Sequence, residues 1–180
     1  MKKRNQARLF IAFVASFLVF NSCSTIPKLR HVTPMTHNTP LNLPISLKDA
    51  VVNVNFKGGD SLDYIVTQYK VVKGLNSSKK FRKVLVGTDR NIKNADIILN
   101  GIACFDEKWF RKPYGWLVIG QYSIELTVSI PGDKLPVGHF IFKGEAEQKS
   151  LPSGPITPIM RYMCRDEAVD KLVKFIILKC

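Results

Sequence analysis

From Gln121 to Ile130 the chain alternates without a break: Tyr122, Ile124, Leu126, Val128 and Ile130 are apolar, and Gln121, Ser123, Glu125, Thr127 and Ser129 between them are polar. A period of two is that of a β-strand with one face in a core and the other in water. Such a strand needs neighbours for its backbone N–H and C=O groups and a second layer over its apolar face. Both neighbours are close in sequence. Ala95 to Phe105 is apolar and is entered through Asp96, and its partner runs from about Leu117 to Ile130. After the turn signal Pro131-Gly132-Asp133, Val137 to about Gln148 sends Phe140 and Phe142 one way and His139, Ile141 and Lys143 the other. The three segments predict an antiparallel meander.

The covering layer comes from two helical stretches. Val52, Val54 and Phe56 alternate with Asn53 and Asn55 as a half-buried strand, which Gly58-Gly59-Asp60 breaks. Asp60 or Ser61 then caps a helix with Leu62, Ile65, Val66, Tyr69 and Val72 on its apolar side and Gly74 as its stop. The basic stretch Asn76 to Lys83 leads to a short strand at Val84 to Gly87. Pro152, Pro155 and Pro158 exclude regular structure from the last loop. A closing helix from about Arg165, capped near Asp166, carries the stripe Ala168, Val169, Leu172, Val173 and Ile176. The order β-α-β-β-β-β-α predicts an α+β two-layer sandwich: a mostly antiparallel sheet of about five strands, with both helices on one face. It forms a single globular domain over residues 48–180.

Residues 1–22 have a different design. Lys2, Lys3, Arg4 and Arg8 precede a nearly unbroken apolar run from Leu9 to Phe20, closed by Asn21 and Ser22. This is the layout of a secretory signal peptide, and the run falls short of the roughly 20 apolar residues that span a bilayer. Ser22-Cys23 at its end resembles the lipobox of bacterial lipoproteins. The resemblance implies acylation of Cys23, palmitate among the chains, removal of the leader and, with Ser24 following, delivery to the outer membrane. Secretory cleavage without lipid is the alternative. From Cys23 to residue 47, Pro27, Pro34, Pro40 and Pro44 among polar residues indicate an extended tether, in which His31 and His37 are solvated. The order of elements in the body also looks like the small α/β domains of envelope lipoproteins, including those that assist outer-membrane assembly or secretion.

Charge and motifs narrow the function. The formal charge is +13, and residues 1–22 hold four of the 27 Lys and Arg but none of the 14 Asp and Glu, so +9 remains from Cys23 onward. A basic surface suits anionic lipid headgroups, phosphorylated glycans or acidic proteins, and the export signal argues against nucleic acid. No His-Glu-x-x-His helix, Gly-x-Ser-x-Gly elbow or Gly-rich phosphate loop occurs. Ser77 and Lys80 have Ser-x-x-Lys spacing without the motifs that accompany it in acyl-transfer enzymes. Cys104, Cys164 and Cys180 include no close-spaced pair, so no metal site is expected; one bridge with one free thiol and three reduced thiols both stay open. His139 has Glu145 and Glu147 near it in sequence.

The connection Asp106 to Trp116 stands out. It holds both tryptophans, Trp109 and Trp116, with Phe110, Tyr114, Arg111 and Lys112. Rings beside cations suit a membrane interface, a glycan or a protein hot spot, unless they fold back over the sheet edge. The expectation is a non-enzymatic outer-membrane lipoprotein without a cofactor, held to the membrane by its lipid anchor. Trp109, Phe110, Arg111, Lys112, Tyr114 and Trp116 then meet an envelope protein, a glycan or anionic lipid. The alternative is an envelope hydrolase acting on cell wall or lipid.

Overall fold

The structure, a computed structural model, describes residues 27–30, 43, 46–58, 61–87, 94–150 and 158–179. The leader, Cys23, Asp60 and Cys180 lie outside the described residues. The elements are β1 (Lys28–Arg30), a 3-10 turn at Leu47–Asp49, β2 (Val51–Lys57), α1 (Ser61–Ser77), β3 (Lys83–Val86), β4 (Ile97–Lys112), β5 (Gly115–Ser129), β6 (Gly138–Ser150) and α2 (Pro158–Lys179). Six strands form one sheet in the order β1-β6-β5-β4-β2-β3. The chain is thus an α+β two-layer sandwich.

β4, β5 and β6 make the expected meander, with every pair antiparallel. The other half of the sheet differs: β2 lies parallel to both β3 and β4, which makes the sheet mixed. For β3 the physical reason is α1, since a helical crossover returns the chain to the same end of the sheet and so delivers a parallel neighbour. Asp96 aligns the start of β4 with β2. Its carboxylate accepts from Val51 N at 2.8 Å and its own N–H donates to Val51 O at 2.8 Å. A sixth strand also forms: Lys28–Arg30, within the stretch expected to be a tether, pairs antiparallel with Glu145–Glu147 of β6. Arg30 reinforces it through Glu147 at 3.6 Å.

One core lies between sheet and helices. Val52, Val54 and Phe56, Ile97 and Leu99, Ile124, Leu126 and Val128, Phe140 and Phe142 meet Val71 and Leu75 of α1 and Ala168, Leu172 and Ile176 of α2. Leu43 and Leu47 pack on its rim. On the second face of the sheet Asn53 is fully buried, contrary to its expected wet position, whereas Asn55 is partly exposed. β2 is an inner strand, and in register Asn53 lies between Leu85 of β3 and Ile98 of β4.

The last helix buries the expected stripe of Ala168, Val169, Leu172, Val173 and Ile176 but starts earlier than expected, and α1 departs in part of its face and in its end. α1 turns two of the residues expected to be buried outward, Ile65 at 51% exposure and Tyr69 at 63%, whereas Val72 packs on the core as expected. Tyr64, Thr67, Gln68, Val71 and Leu75 lie inward instead. Polar residues take that face because partners wait there. Thr67 Oγ1 donates to Asp63 O and shares a 2.7 Å hydrogen bond with the Tyr122 hydroxyl, while Gln68 Oε1 accepts from Phe56 N at 2.8 Å. Gly74 does not stop the helix. A Cβ there would come within 2.9 Å of Val173, so this glycine is the contact point of the two helices. α2 starts a full two turns early, at Pro158, since proline is well suited to a first turn whose N–H groups have no helical partner. Its approach to the sheet is equally close at Gly144, where a Cβ would stand 1.9 Å from Cys164 O.

Candidate functional site

The connection between β4 and β5 is a two-residue turn, Pro113-Tyr114, at the end of a continuous ladder. Pairing runs without interruption from Ile98↔Ser129 to Lys112↔Gly115. The connection between the two long strands is therefore the tight end of a continuous hairpin arm, with β6 beside β5 as far as Ser150 opposite Trp116. Met160, near the start of α2, packs over Gly120 with its Cε 2.9 Å from where a Cβ would be, and Arg161 covers the Phe105 ring at 5.3 Å.

The arm is amphipathic on both faces. Trp109 and Trp116 share the helix-side face, edge to face with ring centroids 6.1 Å apart. Trp116 leans partly onto the core, and Trp109 Nε1 donates to Glu107 at 3.3 Å. On the other face Phe110 stands opposite Leu117, which in turn stands opposite Lys149 of β6. Tyr114 is 92% exposed at the apex. Arg111 and Lys112 are exposed, as are Lys108 and Lys149. A hollow of about 310 Å³ lies at the tip, lined by Lys112, Pro113, Tyr114, Gly115, Trp116, Leu117 and Lys149. The structure thus gathers all six predicted residues, Trp109, Phe110, Arg111, Lys112, Tyr114 and Trp116, on one arm but divides them between two faces.

His139 is placed differently from its sequence neighbourhood. Glu145 and Glu147 are further along β6, engaged by Gln121 and by Arg30. His139 Nδ1 instead meets Thr127 Oγ1 at 3.2 Å. In register across four strands run Asn55, Asn100, Thr127 and His139, with Asn55 Nδ2 donating to Asn100 Oδ1 at 3.3 Å. This row lines a groove of about 270 Å³ with Lys57, Ile102 and Glu125. Sequence reasoning missed it because the register of four strands is invisible in any one of them.

The remaining reactive groups serve the fold. Lys80 Nζ donates to Ile177 O at 2.6 Å, near the C-terminal end of α2, where a cation complements the free carbonyls. Asp63 of α1 binds Arg161 and Arg165 of α2, and Lys70 binds Asp166 at 2.6 Å. Burial pushes the Cys164 thiol up to about 12, and its Sγ donates to Gly120 O at 3.3 Å. Burial also raises the Tyr122 hydroxyl, against the lowering effect of its bond to Thr67. Cys104 is exposed on the uncovered sheet face and Cys164 is buried on the side of α2 that packs on the sheet, so the sheet separates them and no bridge joins them. Among the described residues no three His, Cys, Asp or Glu gather as metal ligands.

No family model and no curated protein sequence matches the chain. Its fold is similar to that of protein XCC0632 from Xanthomonas campestris, of family DUF330, at 14% identity and a TM-score of 0.53, covering 85% of this chain and 93% of that one. Looser likenesses include a minor lipoprotein from Acinetobacter baumannii, with 7% identity, TM-score 0.48, and 70% and 92% of the two chains covered. Another is the rare lipoprotein B from Shewanella oneidensis, with 16% identity, TM-score 0.39, and 71% and 91% covered. These likenesses concern the fold alone.

Proposed function

We propose that the chain is an outer-membrane lipoprotein, anchored through Cys23, whose domain is a non-enzymatic binding or assembly accessory module of the cell envelope. The contact is the β4–β5 arm. One observation carries this reading: on the arm Trp109 and Phe110 are nearly half exposed and Tyr114 almost fully so. Large rings left in water contribute little to folding and much to a contact, where tryptophan, tyrosine and arginine dominate binding energy. The leader and the Ser22-Cys23 junction support the address.

A photo-crosslinker at Tyr114 in living cells tests the assignment. Its products should vanish when Trp109, Arg111, Lys112 and Trp116 are all replaced by Ala, while circular dichroism stays native. Products that persist unchanged would sink it. The groove at His139 favours a second reading, an envelope hydrolase, because an imidazole, a hydroxyl and the Glu125 carboxylate line one hollow. Under that reading turnover of a cell-wall or lipid substrate is lost in His139→Ala and kept in the arm variant.

A further inference from the structure

Resting on the reading of the arm as the contact, we infer that its partner is the surface of an anionic phospholipid bilayer, into whose interface the tip inserts. Three features of the arm favour a bilayer over a protein.

The first is that rings occupy both faces. Trp109 and Trp116 lie on one, Phe110 and Leu117 on the other, and Tyr114 at the turn between them. A protein partner docks on one face and leaves the opposite one wet; a lipid interface surrounds an inserted tip. Tryptophan and tyrosine are the residues enriched at that depth, with apolar rings and a polar edge for the headgroups.

The second is the order of charge along the arm. Outward from Lys108 the strands carry Lys108, Arg111 and Lys112, with Lys149 beside them on β6, and no acid. Asp106 and Glu107 both stand inboard, next to the body. The charge that would meet the phosphates is therefore of one sign, although the two nearest carboxylates are only one or two residues away. Long Lys and Arg side chains also reach past apolar neighbours to keep their charge at the headgroups.

The third is length. Three residue steps separate Trp109 from Lys112, about 10 Å at the rise of a strand. Elements that lie in a membrane interface bury to about 5–10 Å, so the ringed part of the arm has that reach. The backbone N–H and C=O groups that β4 and β5 turn toward each other are paired across the ladder, which lowers the cost of leaving water, while the outer edge of β4 beyond Ile102 has no described strand beside it and keeps to the headgroup level.

The chain has two tryptophans and both are on the arm, so intrinsic fluorescence reports this site alone. Protein extracted from membranes as the full processed chain is reconstituted into vesicles of phosphatidylcholine alone, and into vesicles with one third phosphatidylglycerol, with brominated acyl chains as quencher. The expected result is a blue-shifted, quenched emission in the anionic vesicles and little change in the zwitterionic ones. Each cation near an anionic surface is worth about fivefold, so Arg111→Gln with Lys112→Gln should lower the inserted-to-free ratio roughly 25-fold. Lys57→Gln with Lys143→Gln, which removes equal charge elsewhere on the sheet, should leave it unchanged. Equal quenching in both vesicles, quenching in neither, or an equal loss in the control pair overturns the inference. Protein crosslinks at Tyr114 with unquenched emission would overturn the lipid partner yet keep the arm as the contact; absence of both removes the arm itself.

Discussion

β4 and β5 contain two regions built alike and placed differently. Between Ile97 and Phe105, and between Val118 and Ser129, side chains alternate between core and surface; from Asp106 to Lys112 every position is exposed. The ladder is continuous and its hydrogen bonds are the same in kind. The inner half keeps its apolar residues because helices cover them, and the outer half leaves Trp109, Phe110 and Tyr114 exposed. Rings in the first region are explained by stability, and rings in the second call for a contact outside the molecule.

Substitutions that break the inner region should cost the most. Gly144→Ala drives a methyl into the Cys164 carbonyl, a backbone atom that cannot step aside. We expect a loss of about 3 kcal/mol or more, measured as a lower urea midpoint with unchanged slope. Asp63→Ala leaves the Arg165 guanidinium, 7% exposed, with Asp166 as its remaining carboxylate at 3.3 Å. About 2–3 kcal/mol should be lost in the same titration, since a buried charge deprived of its counter-ion is costly.

Alkaline pH sharpens the contrast further. The buried Cys164 thiol, normally near 9.0, is pushed up to about 12 in the folded protein. The folded state therefore holds this proton longer than the unfolded chain. Its contribution is fully present below pH 9 and fades as pH rises toward 12, by about 1.4 kcal/mol per pH unit. Tyr122, also raised by burial, acts in the same direction from about pH 10 upward. Cys164→Ala should remove the thiol's share, so the slope of stability against pH between 9 and 12 becomes shallower than in the parent protein.

The arm should respond least. Arg111→Ala and Lys112→Ala change exposed side chains and should alter stability by about 0.5 kcal/mol or less, while the contact they serve is weakened. A loss of several kcal/mol from either would mean that the outer arm supports the fold after all.

The meander, the two helices and the exposed aromatic segment could all be anticipated from local pattern. The faces of α1 could not. Hydrophobic spacing pointed to Ile65 and Tyr69, yet Thr67 and Gln68 go inward because Tyr122 and the Phe56 amide, 55 and 12 residues away, satisfy them. Gly74 likewise carried the signature of a helix end, and only the approach of Val173 explains it as a packing contact. The row Asn55, Asn100, Thr127 and His139 joins four strands whose separate patterns contain no trace of it.

Period-two alternation in β5 and β6, and the residues around each turn, were enough to specify which segments are strands, because a strand's alternation and a turn's backbone preferences are local properties. The same locality makes the cations and rings between Lys108 and Trp116 plain from the chain alone. Strand order, the parallel placement of β2, the addition of β1 and the face that α1 buries were set by packing. They depend on partners distant along the chain, and a buried hydroxyl or amide is stable only where those partners arrive.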